Sequence, residues 1–217
     1  MIACSWVPWC CLAQEARRGK EGKKETGGSG LGNYEKPPAA NNIPDHAFDI
    51  VLGRPTDNSI EVRVLHNDDG RGLTEYRNAT RSEWMRTAGV NVVSGKPLAI
   101  SITSLERDAE YRYRWVFTGK DPDRSVTSDE YSFHTQRSTG SSFVFSVTAD
   151  SHLDENSSGE VYTRTLRNAL ADRPDFHLEL GDTFMTGKYV KPEYSYGQYL
   201  AQRCTYRTFA VPLLYSS

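Results

Sequence analysis

Between about Asp45 and Gln136 the chain alternates between apolar and polar positions. Ile60, Val62 and Val64 are apolar and Glu61 and Arg63 between them are charged, the period of two of a half-buried strand. Tyr111, Tyr113 and Trp115 alternate with Arg112 and Arg114. This predicts a strand over 110–118 with aromatics inward and arginines outward. Such a stripe also suits a sugar or a nucleic acid, but a core face with a charged outer face is the simpler reading. Asn67-Asp68-Asp69-Gly70 is a turn signal that runs on into the strand candidate Thr74-Glu75-Tyr76-Arg77. Further strands are expected over 96–103 and 128–135. Short strands at close spacing, with turns between them, predict a small β-sandwich over 45–137.

The pattern changes at Ser138-Thr139-Gly140-Ser141-Ser142. Phe143 to Thr148 is an almost continuous apolar run, as expected of a buried parallel strand. Over 157–172, Tyr162, Leu166, Ala169 and Leu170 fall at helical spacing, and Pro174 stops the helix. Phe176 to Leu180 reads as the next strand, which makes a βαβ unit. A polar stretch with Tyr189, Tyr194, Tyr196 and Tyr199 follows, helical in part over 197–203, and Phe209 to Tyr215 reads as a third strand. Three strands and one or two helices are too few to cover both faces of a sheet. Exposed apolar surface is therefore expected, on the last strand.

The composition is that of a globular chain: 217 residues, 37% hydrophobic, 25% charged, with a net charge of -2. No strong positive field favours nucleic acid or an acidic membrane, and no nucleic-acid partner is expected. Cys4, Cys10 and Cys11 lie in the first eleven residues and only Cys204 in the body, so no disulfide framework or zinc motif is encoded. Cys204 is expected to be a buried or half-buried thiol with no catalytic role. Residues 1–13 are apolar and about as long as the hydrophobic region of a secretory signal, but lack its positive start. They read either as a truncated signal peptide, placing the protein outside the cytoplasm (secreted or periplasmic), or as an apolar tail. They are too short to span a bilayer. Residues 14–44, with Gly27-Gly28-Ser29-Gly30 and Pro37-Pro38, read as a flexible linker.

The chemistry concentrates at two strand ends. Asp150-Ser151-His152 follows the first apolar run of the βαβ unit, and Gly181-Asp182 follows the second. In open α/β sheets ligands bind beyond the carboxyl ends of the strands. A carboxylate and an imidazole two residues apart can turn toward one cation, and a carboxylate from the next strand can reach a second. Gly181 allows the tight turn that brings Asp182 in. Asp150, His152 and Asp182 are thus the candidate metal ligands, the start of a two-metal hydrolytic site. Asp154 and Glu155 lie close behind His152, where solvation of the loop is the simpler reading. For His177 and Glu179, packing or hydrogen bonding between strands is simpler than ligation.

These motifs resemble those of the calcineurin-like metallophosphoesterase superfamily, whose members begin with strand-Asp-x-His and continue with strand-Gly-Asp. The resemblance implies an α/β metallophosphoesterase domain over 141–217. In it Asp150 and His152 would ligate a first divalent cation and Asp182 would bridge to a second, the metals being manganese, iron, zinc, magnesium or calcium. The stretches Ser101-Ile102-Thr103-Ser104-Leu105, Tyr111-Arg112-Tyr113-Arg114 and Ser132-Phe133-His134-Thr135 look like the last strands of the fibronectin III-like domain ahead of purple-acid-phosphatase-type and PhoD-type phosphatases. The implied activity is hydrolysis of phosphate esters by a hydroxide activated between two metals. Purple acid phosphatases carry a Tyr where Met185 stands here, so a Tyr-ligated Fe(III) site is not expected. The family's third motif, Gly-Asn-His-Asp/Glu, is also missing, as are its later histidines. The expectation is therefore an incomplete, amino-terminal part of such an enzyme, inactive alone, with no residue assigned a catalytic role. The competing expectation is a non-catalytic β-sandwich binding or adhesion module with a remnant α/β appendage.

Overall fold

The computed structural model describes residues 45–121, 123, 125–154, 157–183, 195–207 and 211–215. The signal-peptide and linker readings of 1–44 lie outside the described residues, as do Glu155, Met185, Tyr189, Tyr194, Phe209 and Ala210.

Nine strands come first: β1 (Phe48–Leu52), β2 (Ile60–His66), β3 (Gly70–Asn78), β4 (Met85–Arg86), β5 (Val90–Val92), β6 (Leu98–Ile102), β7 (Glu110–Gly119), β8 (Val126–Thr127) and β9 (Tyr131–His134). They form two antiparallel sheets, one ordered β1-β2-β6 and the other β4-β3-β7-β8, with β5 also on β3 and β9 also on β7. This is the expected sandwich. Its core holds Ile60, Val62, Val64, Ile100 and Ile102 from the first sheet against Tyr111, Tyr113, Trp115, Phe117 and Phe133 from the second. The alternation read from the sequence is thus the alternation of buried and outward positions along β2 and β7. The turn at Asn67–Gly70 joins strands of different sheets, since β2 pairs with β1 and β6 while β3 pairs with β7.

The outward arginines of the second sheet are occupied. Arg114 and Arg86 both donate to the buried carboxylate of Glu75, at 2.6 and 2.8 Å. The Trp84 ring lies against the guanidinium groups of Arg77 and Arg114, at 5.0 and 4.4 Å from its centroid. The strand expected over 128–135 is shorter, β9 alone, and β8 pairs with β7 just ahead of it. Ser128 lies between the two: its Oγ accepts from Trp115 N and donates to Asp129 O.

A third sheet follows, β10 (Phe145–Thr148), β11 (Phe176–Glu179) and β12 (Leu213–Tyr215), all parallel and in that order. Helix α1 (Gly159–Ala171) lies between β10 and β11, and α2 (Tyr196–Arg207) precedes β12. The Ser158 side chain caps α1 by accepting from Val161 N. Both helices pack on one face of the sheet, in a second core of Val51, Leu153, Tyr162, Leu166, Ala201, Tyr206, Val211 and Leu213. Val51 comes from β1, and Leu52 bridges in parallel to Pro212, so the sandwich and the α/β unit share a seam.

Two expectations are corrected here. The run from Phe143 to Thr148 is a parallel strand but not a buried one: Phe145 is 49% and Val147 45% exposed. Nor is the exposed apolar surface found on the described side chains of the last strand, where Val211 and Leu213 are buried and Leu214 is half-buried. It lies on the sheet face opposite the helices, where Phe143, Phe145 and Phe176 stack with centroids 5.5–6.1 Å apart.

Candidate metal centre

The chain turns sharply at the carboxyl ends of β10 and β11. Asp150, His152, Leu153 and Asp182 take positive φ of 64°, 51°, 46° and 50°, and Gly181 takes 105°. Asp and His enter this left-handed region more readily than most residues, whereas Leu does so at a cost. Burial holds Leu153 there: its side chain is 1% exposed in the second core and anchors the loop from below. Two backbone bonds tie the loops together, Asp150 N to Gly181 O at 3.0 Å and His152 N to Asp182 O at 3.3 Å. The two strand ends therefore share one backbone frame.

That frame brings the three expected residues together. Asp150, His152 and Asp182 each place one ligand atom within 4.8 Å of the other two. His152 Nε2 is 2.7 Å from Asp150 Oδ1. Asp150 and Asp182 are exposed and His152 is half-buried, so the group opens to solvent. Two carboxylates held this close repel each other, and a cation between them removes that cost. The donor set, two hard oxygens and one imidazole nitrogen, fits a divalent cation of the hard-to-borderline range.

The neighbouring candidates have other partners. Asp154 is buried rather than solvated in its loop, and accepts a hydrogen bond from Ser157 Oγ at 3.1 Å. His177 and Glu179 point away from the opening into the face covered by the helices, and both are fully buried. Glu179 Oε2 accepts from Thr148 Oγ1 at 2.8 Å and from Tyr206 Oη at 2.7 Å, with Tyr162 Oη at 3.0 Å. The Thr148 hydroxyl proton is thus committed to Glu179, so Thr148 accepts from His177 Nε2 at 2.9 Å. That leaves His177 Nδ1 to accept from Ser146 Oγ, also at 2.9 Å. Burial and the adjoining carboxylate push the Tyr162 phenol up to about 12. The sequence showed that His177 and Glu179 share a face, but not that Tyr162 and Tyr206 reach them. Those tyrosines come from two helices whose relative placement no spacing encodes.

No family model and no curated protein matches the chain. Solved structures do. A purple acid phosphatase, PPD1 from yellow lupin (Lupinus luteus) seeds, superposes with a TM-score of 0.57 at 16% identity, covering 79% of this chain and 35% of that one. PhoD superposes with a TM-score of 0.51 at 14% identity, covering 85% of this chain and 40% of that one. The chain has a fold related to theirs and spans well under half the length of either. No helix among the described residues is long and apolar enough to cross a membrane.

Proposed function

We propose that this chain is the amino-terminal part of an extracytoplasmic, metal-dependent phosphoesterase: a fibronectin III-like sandwich over 45–137 followed by the first part of a metallophosphoesterase domain over 141–217. The observation that carries this reading is the convergence of Asp150, His152 and Asp182 on left-handed backbone at the carboxyl ends of two neighbouring parallel strands. The fold likeness to two phosphatases supports it, and both superpositions cover more of the chain than the sandwich alone occupies.

In this reading Asp150 and His152 hold one divalent cation and Asp182 lies where it can face a second. Bound cations at such a site supply Lewis acidity: they lower the pKa of a water and neutralise a phosphate. The chain's own part is positional. The Asp150–Gly181 and His152–Asp182 backbone bonds hold the ligands in place, and the buried Leu153 keeps the loop from relaxing. The substrate class is a phosphate ester. Three ligands suit the capture of one cation but do not close a two-metal centre, so the 217-residue chain alone binds metal without turning substrate over.

Calorimetric titration with Mn2+ or Zn2+ tests this. Asp182→Ala and His152→Ala are each expected to weaken binding at this site about tenfold or more. Unchanged binding in both variants removes these residues from the site. Metal-dependent hydrolysis of p-nitrophenyl phosphate by the chain alone would show that its ligand set is more complete than proposed.

A further inference from the structure

A second group of ligating side chains lies at the seam between the sandwich and the α/β unit, away from the Asp150 loop. His46 stands just ahead of β1, Asp49 is on β1 and Cys204 is on α2. The His46 imidazole touches both of the others, with Nε2 3.0 Å from Asp49 Oδ1 and Nδ1 3.9 Å from Cys204 Sγ. One ligand atom from each residue lies within 4.8 Å of the other two. All three are enclosed: the His46 and Asp49 side chains are 9% and 3% exposed, and Cys204 is 8% exposed. This is a mixed nitrogen, oxygen and sulfur set drawn from two parts of the fold.

Two features set it apart from a chance contact. Asp49 Oδ1 is buried with no aligned hydrogen bond, although an imidazole nitrogen is only 3.0 Å away. His46 still acts on the carboxylate electrostatically, as do Arg203 and Arg207. A buried carboxylate oxygen left in this state is costly, and such atoms call for an explanation. The positions are also fixed from outside the group. His46 O accepts from Asn67 Nδ2 at 2.6 Å, β1 is locked in register with β2, and α2 is tied to the sheet by Tyr206 on Glu179.

We propose that His46, Asp49 and Cys204 form a structural binding site for a zinc-like divalent cation that pins the sandwich to helix α2. Cysteine sulfur, imidazole and carboxylate are the ligand types zinc takes. Bonds of about 2.0–2.3 Å place such ligands roughly 3–4 Å apart, so the side chains need contract by only about an ångström. One thiolate and one carboxylate neutralise a dication, which suits a buried position. Three protein ligands leave one tetrahedral position for water. The same residues do not make an activated nucleophile: burial pushes the Cys204 thiol up, and all three are enclosed.

Cobalt(II) is the probe, because a Co(II)–thiolate bond gives a near-ultraviolet charge-transfer band that oxygen and nitrogen ligands alone do not. The experiment uses the full chain with Cys4, Cys10 and Cys11 replaced by serine, so that Cys204 is the one thiol left. Co(II) is expected to produce the band, and stoichiometric Zn2+ to abolish it by displacement. Cys204→Ser and His46→Ala should remove it, while Asp182→Ala should leave it intact, which separates this site from the Asp150 group. Circular dichroism checks that each variant is folded. No band in the folded single-thiol chain overturns the proposal, as does a band that survives His46→Ala and Asp49→Asn together.

Discussion

Gly72 lies on β3 where the Trp115 ring fills the space a side chain would need: a Cβ there would meet the ring at 2.0 Å. Trp115 is fully buried at the centre of the sandwich and cannot swing away. Gly72→Ala is therefore expected to destabilise the fold by about 1–3 kcal/mol through overpacking, read from the denaturation midpoint. Glu179 sets a limit of a different kind. Its Oε2 gathers hydroxyls from Thr148 and Tyr206 while Oε1 has no partner, all without access to water. Replacing it with Ala takes that acceptor from the Thr148, Tyr206 and Tyr162 hydroxyls, and is expected to cost about 2–4 kcal/mol. Gln keeps one acceptor oxygen, so Glu179→Gln should cost clearly less. Equal losses in the two variants, measured by urea unfolding, would mean that packing rather than hydrogen bonding matters at 179.

Strands β2 and β7 were legible because each buries one face only, so burial writes a period of two into the sequence. Strand β1 was not, for a physical reason. Ile50 and Leu52 face the sandwich core, Val51 faces the helices of the α/β unit, and Asp49 is buried beside His46. A strand buried on both sides has no alternation to read. Strands β10 and β11 misled in the opposite direction: the apolar Phe145, Val147 and Phe176 line the uncovered face, while Ser146, Thr148, His177 and Glu179 line the face beneath the helices. The motif at the strand ends was legible because a metal site needs particular residue types at short spacing. The His46 group was not, since 158 residues separate Cys204 from His46. The uncovered face predicts behaviour of its own. Replacing Phe145 with Ser and Val147 with Thr should reduce binding of a hydrophobic dye and concentration-dependent light scattering while leaving the sandwich intact.

For the molecule as a whole, acid is the sharpest probe. Burial pushes both His66 and His177 below the ordinary imidazole value of 6.5, Glu179 pulling His177 partly back. His66 Nδ1 accepts from Asp68 N, so protonating it also breaks a hydrogen bond. With folded values depressed, the unfolded chain binds protons first as the pH falls. Stability is therefore fully present above about 6.5 and is lost as pH drops through the folded values, by at most about 1.4 kcal/mol per pH unit for each histidine. Asp49, raised by burial, acts with the opposite sign between 3.8 and its folded value, so urea unfolding at pH 7.5 and 5.5 is compared between the wild-type chain and a histidine variant. His66→Phe should flatten the dependence, and an unchanged slope would assign it to other groups. The two units should also differ in local stability. With one sheet face uncovered, β10–β12 are expected to exchange their amide hydrogens faster than β2, β3 and β7, which mass spectrometry of deuterated peptides resolves.

The seam at β1 bears on how this protein can be recombined. Val51 reaches into the core of the α/β unit, and Leu52 pairs with Pro212 just ahead of β12. A cut at the Ser138–Ser142 joint separates the chain in sequence but tears it in space. The released sandwich would bare Val51 and Asp49, and the released α/β unit would lose the neighbour that seats β12. A chimera that takes its sandwich from another protein must therefore carry Phe48–Leu52 across unchanged, or redesign Val211 and Leu213 to meet whatever strand replaces it.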